Sequence, residues 1–272
     1  MLNFDYLNNL NEKQKEAVTY IEGPLLIVAG AGSGKTKVLT SRICHIILSK
    51  KALPTEVLAV TFTNKAANEM LGRILSNLKK KKFGMPWVGT FHSICVKILR
   101  KHARAANLNY NFTIVDQEDQ KKLIKNICKS ENIDTKKIAP KAVLTVIDRW
   151  KNKGYYPEKV ILNKKDIFEK KLLPIYKIYQ KKLLDLNACD FGDLILHCVK
   201  IFEKNLDIAE LYSNNFKYIL VDEYQDTNHI QSRWLSCLTN YHNNICCVGD
   251  DDQSIYSWRG AEIKNFLDFD KK

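Results

Sequence analysis

A glycine-rich loop ending in Lys35-Thr36 is the segment of this sequence with the clearest chemical meaning. Its glycines allow a tight turn that aims backbone N–H groups inward, where they can bind phosphate oxygens. Lys35 would place its charge on the β- and γ-phosphates of a nucleotide, and Thr36 would offer its hydroxyl to Mg²⁺. A strand–turn–helix whose glycines serve only packing is the alternative. The other residues expected around the phosphates are Ala29, Gly30, Ala31, Gly32, Ser33, Gly34 and Lys37.

Two adjacent carboxylates follow an apolar run further along the chain. Residues 216–221 predict a buried strand, and Asp222 and Glu223 come directly after it. Asp222 would hold Mg²⁺ directly or through water, and Glu223 would orient and deprotonate an attacking water. An Asp-Glu pair at a strand end can also cap a loop. Its combination with the phosphate loop is what favours phosphoryl chemistry.

A polar and aromatic segment follows the last apolar run. Gln253 is neutral and stands close to the predicted strand end, so it could contact a γ-phosphate and sense its presence. Tyr256 and Trp258 could present flat faces to nucleic-acid bases. Taken by themselves, these two aromatic residues are more simply explained by core packing.

The elements that must position these residues form an α/β pattern. Short apolar runs alternate with helical patterns, which is typical of a mainly parallel sheet. Ligands of such sheets bind at the carboxyl ends of the strands. The phosphate loop, Asp222-Glu223 and residues 250–253 are therefore expected to converge on one crevice. The predicted strands are residues 25–29, 57–62, 87–90, 216–221 and 244–248.

The middle of the chain has a different pattern, which is mostly helical and predicts an all-helical insertion. Asp116 is expected to cap one of its helices, and Asn64 is expected to cap the helix after the second strand. The predicted organisation is an α/β domain in two parts, residues 1–104 and 201–272, interrupted by the helical insertion at residues 105–200.

The composition points to a class of partner and a compartment. The formal net charge of +13 favours a polyanion such as nucleic acid, although a biased composition that merely solvates the surface is the alternative. The eight cysteines include no Cys-x-x-Cys pair, which favours reduced thiols. Because we find no membrane-length apolar run and no signal-peptide layout, we expect no membrane partner. The expected location is the cytoplasm of a bacterial-type cell, or the nucleus or a DNA-containing organelle in a eukaryote.

Together these motifs resemble the N-terminal part of a UvrD/PcrA/Rep-type superfamily 1 DNA helicase, in the family's order and over nearly the whole chain. The resemblance implies a RecA-like P-loop NTPase domain with a helical insertion, and ATP and Mg²⁺ as cofactors. It implies that Gln14 hydrogen-bonds the adenine edge, that Ala29 is usual at the first loop position and that Gln253 is the γ-phosphate sensor. It also reverses the core-packing interpretation, since Tyr256 and Trp258 become base-stacking residues. The matching segments are residues 10–14, 29–36, 61–67, 89–93, 190–194, 221–228 and 249–260.

The resemblance further implies a path for single-stranded DNA. Phe62 would stack on a base, with Thr63 and Asn64 in the same segment, and Thr90 and His92 would contact phosphates. The resemblance explains the surplus of positive charge by contacts with the phosphates of the DNA backbone, which implies salt-sensitive binding. The implied partners are single-stranded DNA, junctions of single- and double-stranded DNA, and proteins of repair or replication. No oligomeric state is indicated.

The implied activity is that of an ATP-dependent DNA helicase or translocase with 3′-to-5′ polarity, acting in repair or replication. Two residues depart from the family's pattern, because Lys37 and Ser257 stand where many members carry arginine. An ammonium stacks on adenine less well than a guanidinium, so a weaker nucleotide grip is expected. In the family a second motor domain follows this region and supplies arginines to the γ-phosphate. Since the sequence stops at Lys272, we expect slow hydrolysis and no unwinding by this chain alone.

Two other classes of function stay open. One is a truncated ATP- and DNA-binding module without unwinding activity, and the other is a P-loop ATPase with a role unrelated to nucleic acid. The presence of Lys35, Asp222, Glu223 and Gln253 argues against a decayed site. The aromatic residues and the basic charge argue against the second class. Salt-dependent binding of an oligonucleotide would separate them.

Overall fold

Seven parallel-paired strands are present in the part of the protein that the computed structural model describes, which is residues 5–78, 84–162, 166–250, 252 and 263–269. In chain order the strands are β1 (Leu25–Val28), β2 (Val57–Thr61), β3 (Val88–Thr90), β4 (Thr113–Ile114), β5 (Ala188–Cys189), β6 (Tyr218–Val221) and β7 (Ile245–Gly249). Five of them form the main sheet, in the order β1-β7-β6-β2-β3. The predicted α/β fold with a mainly parallel sheet is confirmed.

The register of the main sheet brings its strand ends side by side. Val28 lies opposite Gly249, and Thr61 lies opposite Thr90, so neighbouring strands stop at the same edge. Strands β2, β6 and β7 are buried along their whole length. Their sequences are continuous apolar runs because a parallel sheet is covered on both faces and its strands cannot alternate with polar residues.

The chain divides into two compact units. The first comprises residues 1–94, 205–227 and 235–272 and contains the main sheet, and the second comprises residues 95–204 and 228–234. The described helices are α1 (Glu12–Thr19), α2 (Lys35–Leu48), α3 (Asn64–Asn77), α4 (Phe91–Lys101), α5 (Gln117–Ser130), α6 (Pro140–Asn152), α7 (Ile167–Asp185), α8 (Phe191–Lys204), α9 (Leu206–Asn215), α10 (His229–Thr239) and α11 (Ile263–Leu267).

Side-chain caps determine where two of the predicted helices begin. The Asp116 side chain accepts a hydrogen bond from the Asp119 N–H at 2.9 Å, so the predicted cap of α5 is confirmed. The prediction for α3 was wrong by one residue. Thr63, with φ −127° and ψ 148°, caps the helix by accepting from the Ala66 N–H at 3.1 Å, and Asn64 is the first helical residue. The extended backbone that a cap requires belongs to Thr63.

The second unit has a hydrophobic core of its own, built mainly from α5, α6 and α7. Trp150 stacks on Tyr176 with ring centroids 5.6 Å apart, and the buried side chains of Ile124, Val143 and Leu172 belong to the same cluster. The unit also contains the short parallel pair of β4 and β5. The helical pattern of the sequence did not predict these two strands, because two-residue segments are too short to show a period.

A buried ion cluster holds the start of α8 in the second unit. The Lys151 ammonium lies 2.6 Å from the Asp190 carboxylate and 2.8 Å from that of Asp193, and the Tyr179 hydroxyl donates to Asp190 at 2.9 Å. The two aspartates also accept from each other's backbone N–H groups. Because a buried ammonium needs such partners, the Asp-x-x-Asp spacing in this segment has a structural explanation.

None of the helices in the described part of the chain is long and apolar enough to cross a membrane. All eight cysteines are free and seven of them are buried, which agrees with the expected reduced thiols. Burial raises the pKa of the Cys246 thiol to about 11, so this cysteine is not a reactive thiolate at neutral pH.

Candidate nucleotide and nucleic-acid site

The sequence-predicted site residues that the structure describes lie mostly just beyond the carboxyl ends of the main-sheet strands. The phosphate loop follows β1, and Asp222-Glu223 follows β6. The DNA-contact candidates follow β2 and β3. Gln14 is the exception, because it lies on α1. One edge of the parallel sheet thus carries both groups of candidates, as the general rule for such sheets predicts.

The backbone of the phosphate loop uses conformations that favour glycine. Gly32 has φ +72° and Gly34 has φ +88°, and a Cβ atom on Gly32 would have no atom within 4 Å. The Ser33 hydroxyl donates to the Gly30 carbonyl at 2.6 Å, which closes the turn from inside. The loop then enters α2, whose first turn presents unpaired N–H groups and the positive end of the helix dipole. The open space at Gly32 suits a ligand that approaches the backbone closely.

The Lys35 side chain lies at the edge formed by the carboxyl ends of the main-sheet strands, beside two carboxylates. It is 9% exposed, and its ammonium lies 3.6 Å from the Asp250 carboxylate and 3.9 Å from the Glu223 carboxylate. Both distances exceed a hydrogen bond, and the ammonium is a buried atom that makes no hydrogen bond to any described residue. A buried cation without hydrogen bonds is costly unless a ligand completes its shell. The donor set therefore fits an anionic ligand such as a triphosphate.

Asp222 and Glu223 have different environments. Asp222 is 4% exposed, and burial first, then the charge of Glu223, raises the pKa of its carboxyl to about 6. Glu223 is 40% exposed and has φ +52°, a left-handed conformation that is rare outside glycine. Such backbone strain is typical of functional residues whose direction is fixed by their surroundings. One carboxylate is thus buried where a cation would bind, and the other reaches towards solvent.

Gln225 is a site residue that sequence reasoning missed. Its side-chain amide donates to the Glu223 carboxylate at 2.8 Å, and its carbonyl oxygen accepts from the Asp250 N–H at 3.1 Å. Gln225 is buried and so joins the end of β6 to the end of β7. The signal was present in the Asp-Glu-Tyr-Gln sequence, but the adjacency of β6 and β7 is needed to interpret it.

Asp250 was expected at this crevice but was given no role of its own, and Asp226 was not singled out. Asp250 is buried beside Lys35 and directly follows β7. Asp226 is buried, and burial first and the charge of Glu223 second raise the pKa of its carboxyl to about 6. The site therefore holds more carboxylates than the sequence motif alone indicated, which strengthens its need for a cation.

The residues expected at a magnesium ion fit that role. Thr36 is half-buried at the start of α2, and Asp222 supplies a buried carboxylate. The described residues contain no group of three or more histidine, cysteine or acidic side chains with metal-ligand geometry. Mg²⁺ does not require one, since it usually binds through one or two carboxylates, waters and substrate phosphates.

Gln14 and Lys37 both contact backbone carbonyls near the loop. The Gln14 amide donates to the Ser33 carbonyl at 2.9 Å and accepts from the Asn11 N–H at 3.1 Å. The Lys37 ammonium donates to the Asn9 carbonyl. Lys37 therefore ties the segment before α1 to the phosphate-loop helix, which is a use for this residue that the sequence did not suggest.

The DNA candidates after β2 are accessible. Thr63 and Asn64 are exposed, and Phe62 is half-buried with its ring 5.5 Å from that of Phe91 at an angle of 58°. Phe91 is itself buried, so one side of the Phe62 ring is supported by the protein. A supported and partly exposed ring is suited to stacking on a planar ligand.

The candidates after β3 surround the start of α4. The Thr90 hydroxyl accepts from the Ser93 N–H at 3.2 Å, and the Ser93 hydroxyl accepts from the Thr90 N–H at 2.9 Å. Thr90 thus retains its hydroxyl hydrogen for a further acceptor. His92 is half-buried, and burial lowers the pKa of its imidazole, which keeps it neutral at physiological pH.

Gln253, Tyr256 and Trp258, together with Ser257, lie outside the described residues. Their expected roles stay predictions, and so do the roles of the other site residues. The structure does describe Asp252, whose N–H donates to the Asp250 carboxylate at 3.2 Å.

Four features define a P-loop α/β domain: the parallel sheet, the glycine loop after its first strand, the buried lysine and the carboxylates two strands away. Residues 10–272 match the family described as the UvrD/REP helicase N-terminal domain. The chain belongs to that family.

Proteins of several bacteria are similar in sequence to this chain. A protein of Rickettsia conorii named "Probable DNA helicase II homolog" is 49% identical over 274 residues, covering 100% of this chain and 42% of the relative. A protein of Staphylococcus epidermidis named "ATP-dependent DNA helicase PcrA" is 46% identical over 265 residues, covering 97% of this chain and 36% of the relative. The chain thus spans about two fifths of the length of the curated relatives it matches.

Proposed function

We propose that this chain is the ATP-binding N-terminal part of an ATP-dependent DNA helicase or translocase that moves on single-stranded DNA. The observation that carries the proposal is the buried Lys35 ammonium, which has no hydrogen bond to a described residue and lies beside the Asp250 and Glu223 carboxylates. The names of the relatives, DNA helicase II and PcrA, support ATP and DNA as ligands. The two-part ATP-binding domain with its insertion, the 3′-to-5′ polarity and a role in repair or replication are part of the same proposal.

Each residue of the nucleotide site has a separable role in this proposal. Lys35 and the loop N–H groups bind the triphosphate, while Thr36 and Asp222 hold Mg²⁺. The bound ion supplies charge neutralisation at the phosphates. Glu223 orients a water and accepts its proton, and Gln225 holds the Glu223 carboxylate in place. Gln14 contacts the base, and Gln253 senses the γ-phosphate.

The DNA side of the proposal uses the ends of the two adjacent strands β2 and β3. Phe62 stacks on a base, and Thr63 and Asn64 lie beside it. Thr90 donates its free hydroxyl hydrogen to a phosphate oxygen, and His92 lies two residues further along the chain. The residues for these contacts and those for the nucleotide lie at one edge of a single sheet. ATP hydrolysis can therefore change the DNA contacts over a short distance.

DNA-stimulated ATP hydrolysis tests the proposal. The wild-type chain, Lys35→Ala and Lys122→Ala are compared with and without a single-stranded oligonucleotide. Lys122 is the matched control because it is an exposed lysine of the second unit. We expect turnover that rises with DNA in the wild type and in the control, and that falls below detection in Lys35→Ala. Equal turnover in the two lysine variants would contradict the proposed site.

A module that binds ATP and DNA without unwinding is the second candidate. It rests on the same residues, because Lys35 and Phe62 can contact a nucleotide and DNA whether or not turnover follows. Nucleotide and DNA binding without DNA-stimulated turnover would support this candidate. The cytoplasmic location, the DNA-junction substrates and the repair or replication partners expected from the sequence belong to the helicase proposal and stay predictions.

A further inference from the structure

Arg42 is a buried cation on the phosphate-loop helix that the proposed chemistry does not use. It lies on α2 and is 1% exposed, among apolar neighbours on the same helix such as Leu39 and Ile43. No carboxylate of the described residues forms an ion pair with it within 4 Å. Burying a guanidinium is unfavourable unless its N–H groups are satisfied, so its hydrogen bonds identify what it stabilises.

The partners of Arg42 are three carbonyls in the last turn of α1 and in the two residues that follow it. Its guanidinium donates to the Ala17 carbonyl at 2.7 Å, to the Ile21 carbonyl at 3.0 Å and to the Tyr20 carbonyl. The last carbonyls of a helix have no partner within the helix, and a positive charge there also matches the negative end of the helix dipole. Arg42 therefore acts as a C-terminal cap supplied by a neighbouring helix.

Helix α1 depends on such external anchors. It has only eight residues, and Val18 is the one fully buried side chain in it. Isolated helices of this length are not stable in water. The other end of α1 is held by the Gln14 amide, which donates to the Ser33 carbonyl. Both anchors lead to one continuous segment, the phosphate loop and α2.

The Gln14 amide has capacity left for a nucleotide base. One of its two N–H donors is used on Ser33, and one of the two lone pairs of its oxygen is used by the Asn11 N–H. The remaining donor and acceptor match the adenine edge, which offers the N7 acceptor and the N6 donor. Guanine offers two acceptors at the same edge, so the oxygen of a fixed amide would face another oxygen.

We propose that Arg42 is a positioning residue for base recognition: by capping α1 from the phosphate-loop helix, it fixes the Gln14 amide relative to the bound phosphates. This inference rests on the proposed function, because it takes Gln14 as the base-contacting residue. Without the cap, α1 frays from its end, and the Gln14 amide no longer stands at one distance and angle from the loop. The choice of base then weakens while the phosphate contacts remain.

Equilibrium binding of fluorescent ATP and GTP analogues tests the positioning role. The variants are Arg42→Met, Arg42→Lys and Gln14→Ala, with Ile74→Val as a control for loss of stability in the core of the same unit. We expect the ATP:GTP affinity ratio to fall about fivefold in Arg42→Met, because the loss of roughly one hydrogen bond to the base changes affinity by about that factor. Arg42→Lys should recover part of the ratio, because an ammonium can still donate to one or two carbonyls. Ile74→Val should keep the wild-type ratio.

A double-mutant cycle separates positioning from a general effect. In a Gln14→Ala background, Arg42→Met should change the ratio by less than about twofold, because the residue through which Arg42 acts is gone. A ratio that Arg42→Met leaves unchanged, or one that it lowers equally with and without Gln14, would overturn the inference.

Hydrogen exchange of the nucleotide-free protein gives an independent readout. Arg42→Met should raise the exchange rate of the α1 amides about tenfold while α3 stays protected. Unchanged exchange in α1 would overturn the anchoring role even if the ratio fell. If the wild-type chain binds neither analogue, or binds both equally, the assignment of Gln14 in the proposed function fails. The exchange experiment still decides whether Arg42 anchors α1.

Discussion

Replacing Gln225 by alanine should weaken both the stability of the first unit and the hydrolytic step. The Gln225 amide joins the Glu223 carboxylate at 2.8 Å to the Asp250 N–H at 3.1 Å, and the side chain is buried. Each hydrogen bond contributes about 1 kcal/mol, and removing the acceptor of a buried N–H adds about 1–2 kcal/mol. The expected loss in the free energy of unfolding is therefore about 3–4 kcal/mol.

The catalytic consequence follows from the same two contacts. Without Gln225, the Glu223 carboxylate loses the group that fixes its direction, while Lys35 and the loop are untouched. Misplacing a reacting group by about 1 Å can lower a rate about 100-fold, so we expect hydrolysis to slow about 10- to 100-fold. The affinity for the triphosphate should change less than about threefold, because the phosphate contacts remain.

The assay pairs urea unfolding with hydrolysis and nucleotide binding. Gln231→Ala is the matched control, because the buried Gln231 oxygen likewise accepts from a backbone N–H, that of Asn228 at 3.0 Å, in the second unit. Gln231→Ala should lower the free energy of unfolding. Its hydrolysis rate should fall only in proportion to the fraction of protein that is unfolded. The reasoning is refuted if Gln225→Ala is as stable as the wild type, or if it hydrolyses ATP no more slowly than Gln231→Ala.

Three further predictions concern the loop, the DNA path and the second unit. Gly34→Ala should weaken nucleotide binding about 5- to 30-fold, because φ is +88° and the new Cβ would lie 3.2 Å from the Gln14 amide nitrogen. Titration with ATP measures this loss. The control Gly72→Ala, within α3, should leave ATP binding unchanged. Phe62→Ala should lower affinity for single-stranded DNA by about 1–3 kcal/mol in a fluorescence titration, while an unchanged affinity would remove Phe62 from the path. Burial, with the nearby lysine charges, lowers the pKa of His197 to about 3. The unfolded chain, with an ordinary pKa near 6.5, therefore takes up the proton first, and stability present above about pH 6.5 is lost as the pH falls towards 3. Urea unfolding at pH 7 and 5 should show a smaller loss in His197→Gln than in the wild type, and equal losses would contradict the assignment.

The sequence was sufficient for the elements whose signals are local. Most of the main-sheet strands are apolar runs, and each of the five lies within a residue or two of its predicted position. The Asp116 cap of α5 could be predicted because a cap and its helix are neighbours in the chain. The choice between Thr63 and Asn64 could not be made, since both are good caps and only the backbone conformation decides between them.

The remaining site features depend on which elements meet in space. Gln225 contacts the backbone of Asp250 because β6 and β7 are neighbours in the sheet, and no periodicity in the sequence encodes that order. Arg42 would be expected on the solvent face of α2 from its residue type alone. Its burial is explained only by the carbonyls that α1 brings to it. Long-range partners of polar groups are therefore what sequence patterns predict least well.

Titration of the chain with Mg-ATP and with Mg-AMP, in the wild type and in Lys35→Ala, tests the central claim most directly. If the β- and γ-phosphates accept the missing hydrogen bonds of the buried Lys35 ammonium, Lys35→Ala should weaken ATP binding at least tenfold. AMP binding should stay unchanged, because AMP lacks those phosphates. Equal ATP affinity in the two proteins, or an equal loss for ATP and AMP, would contradict the assignment of Lys35 to a triphosphate.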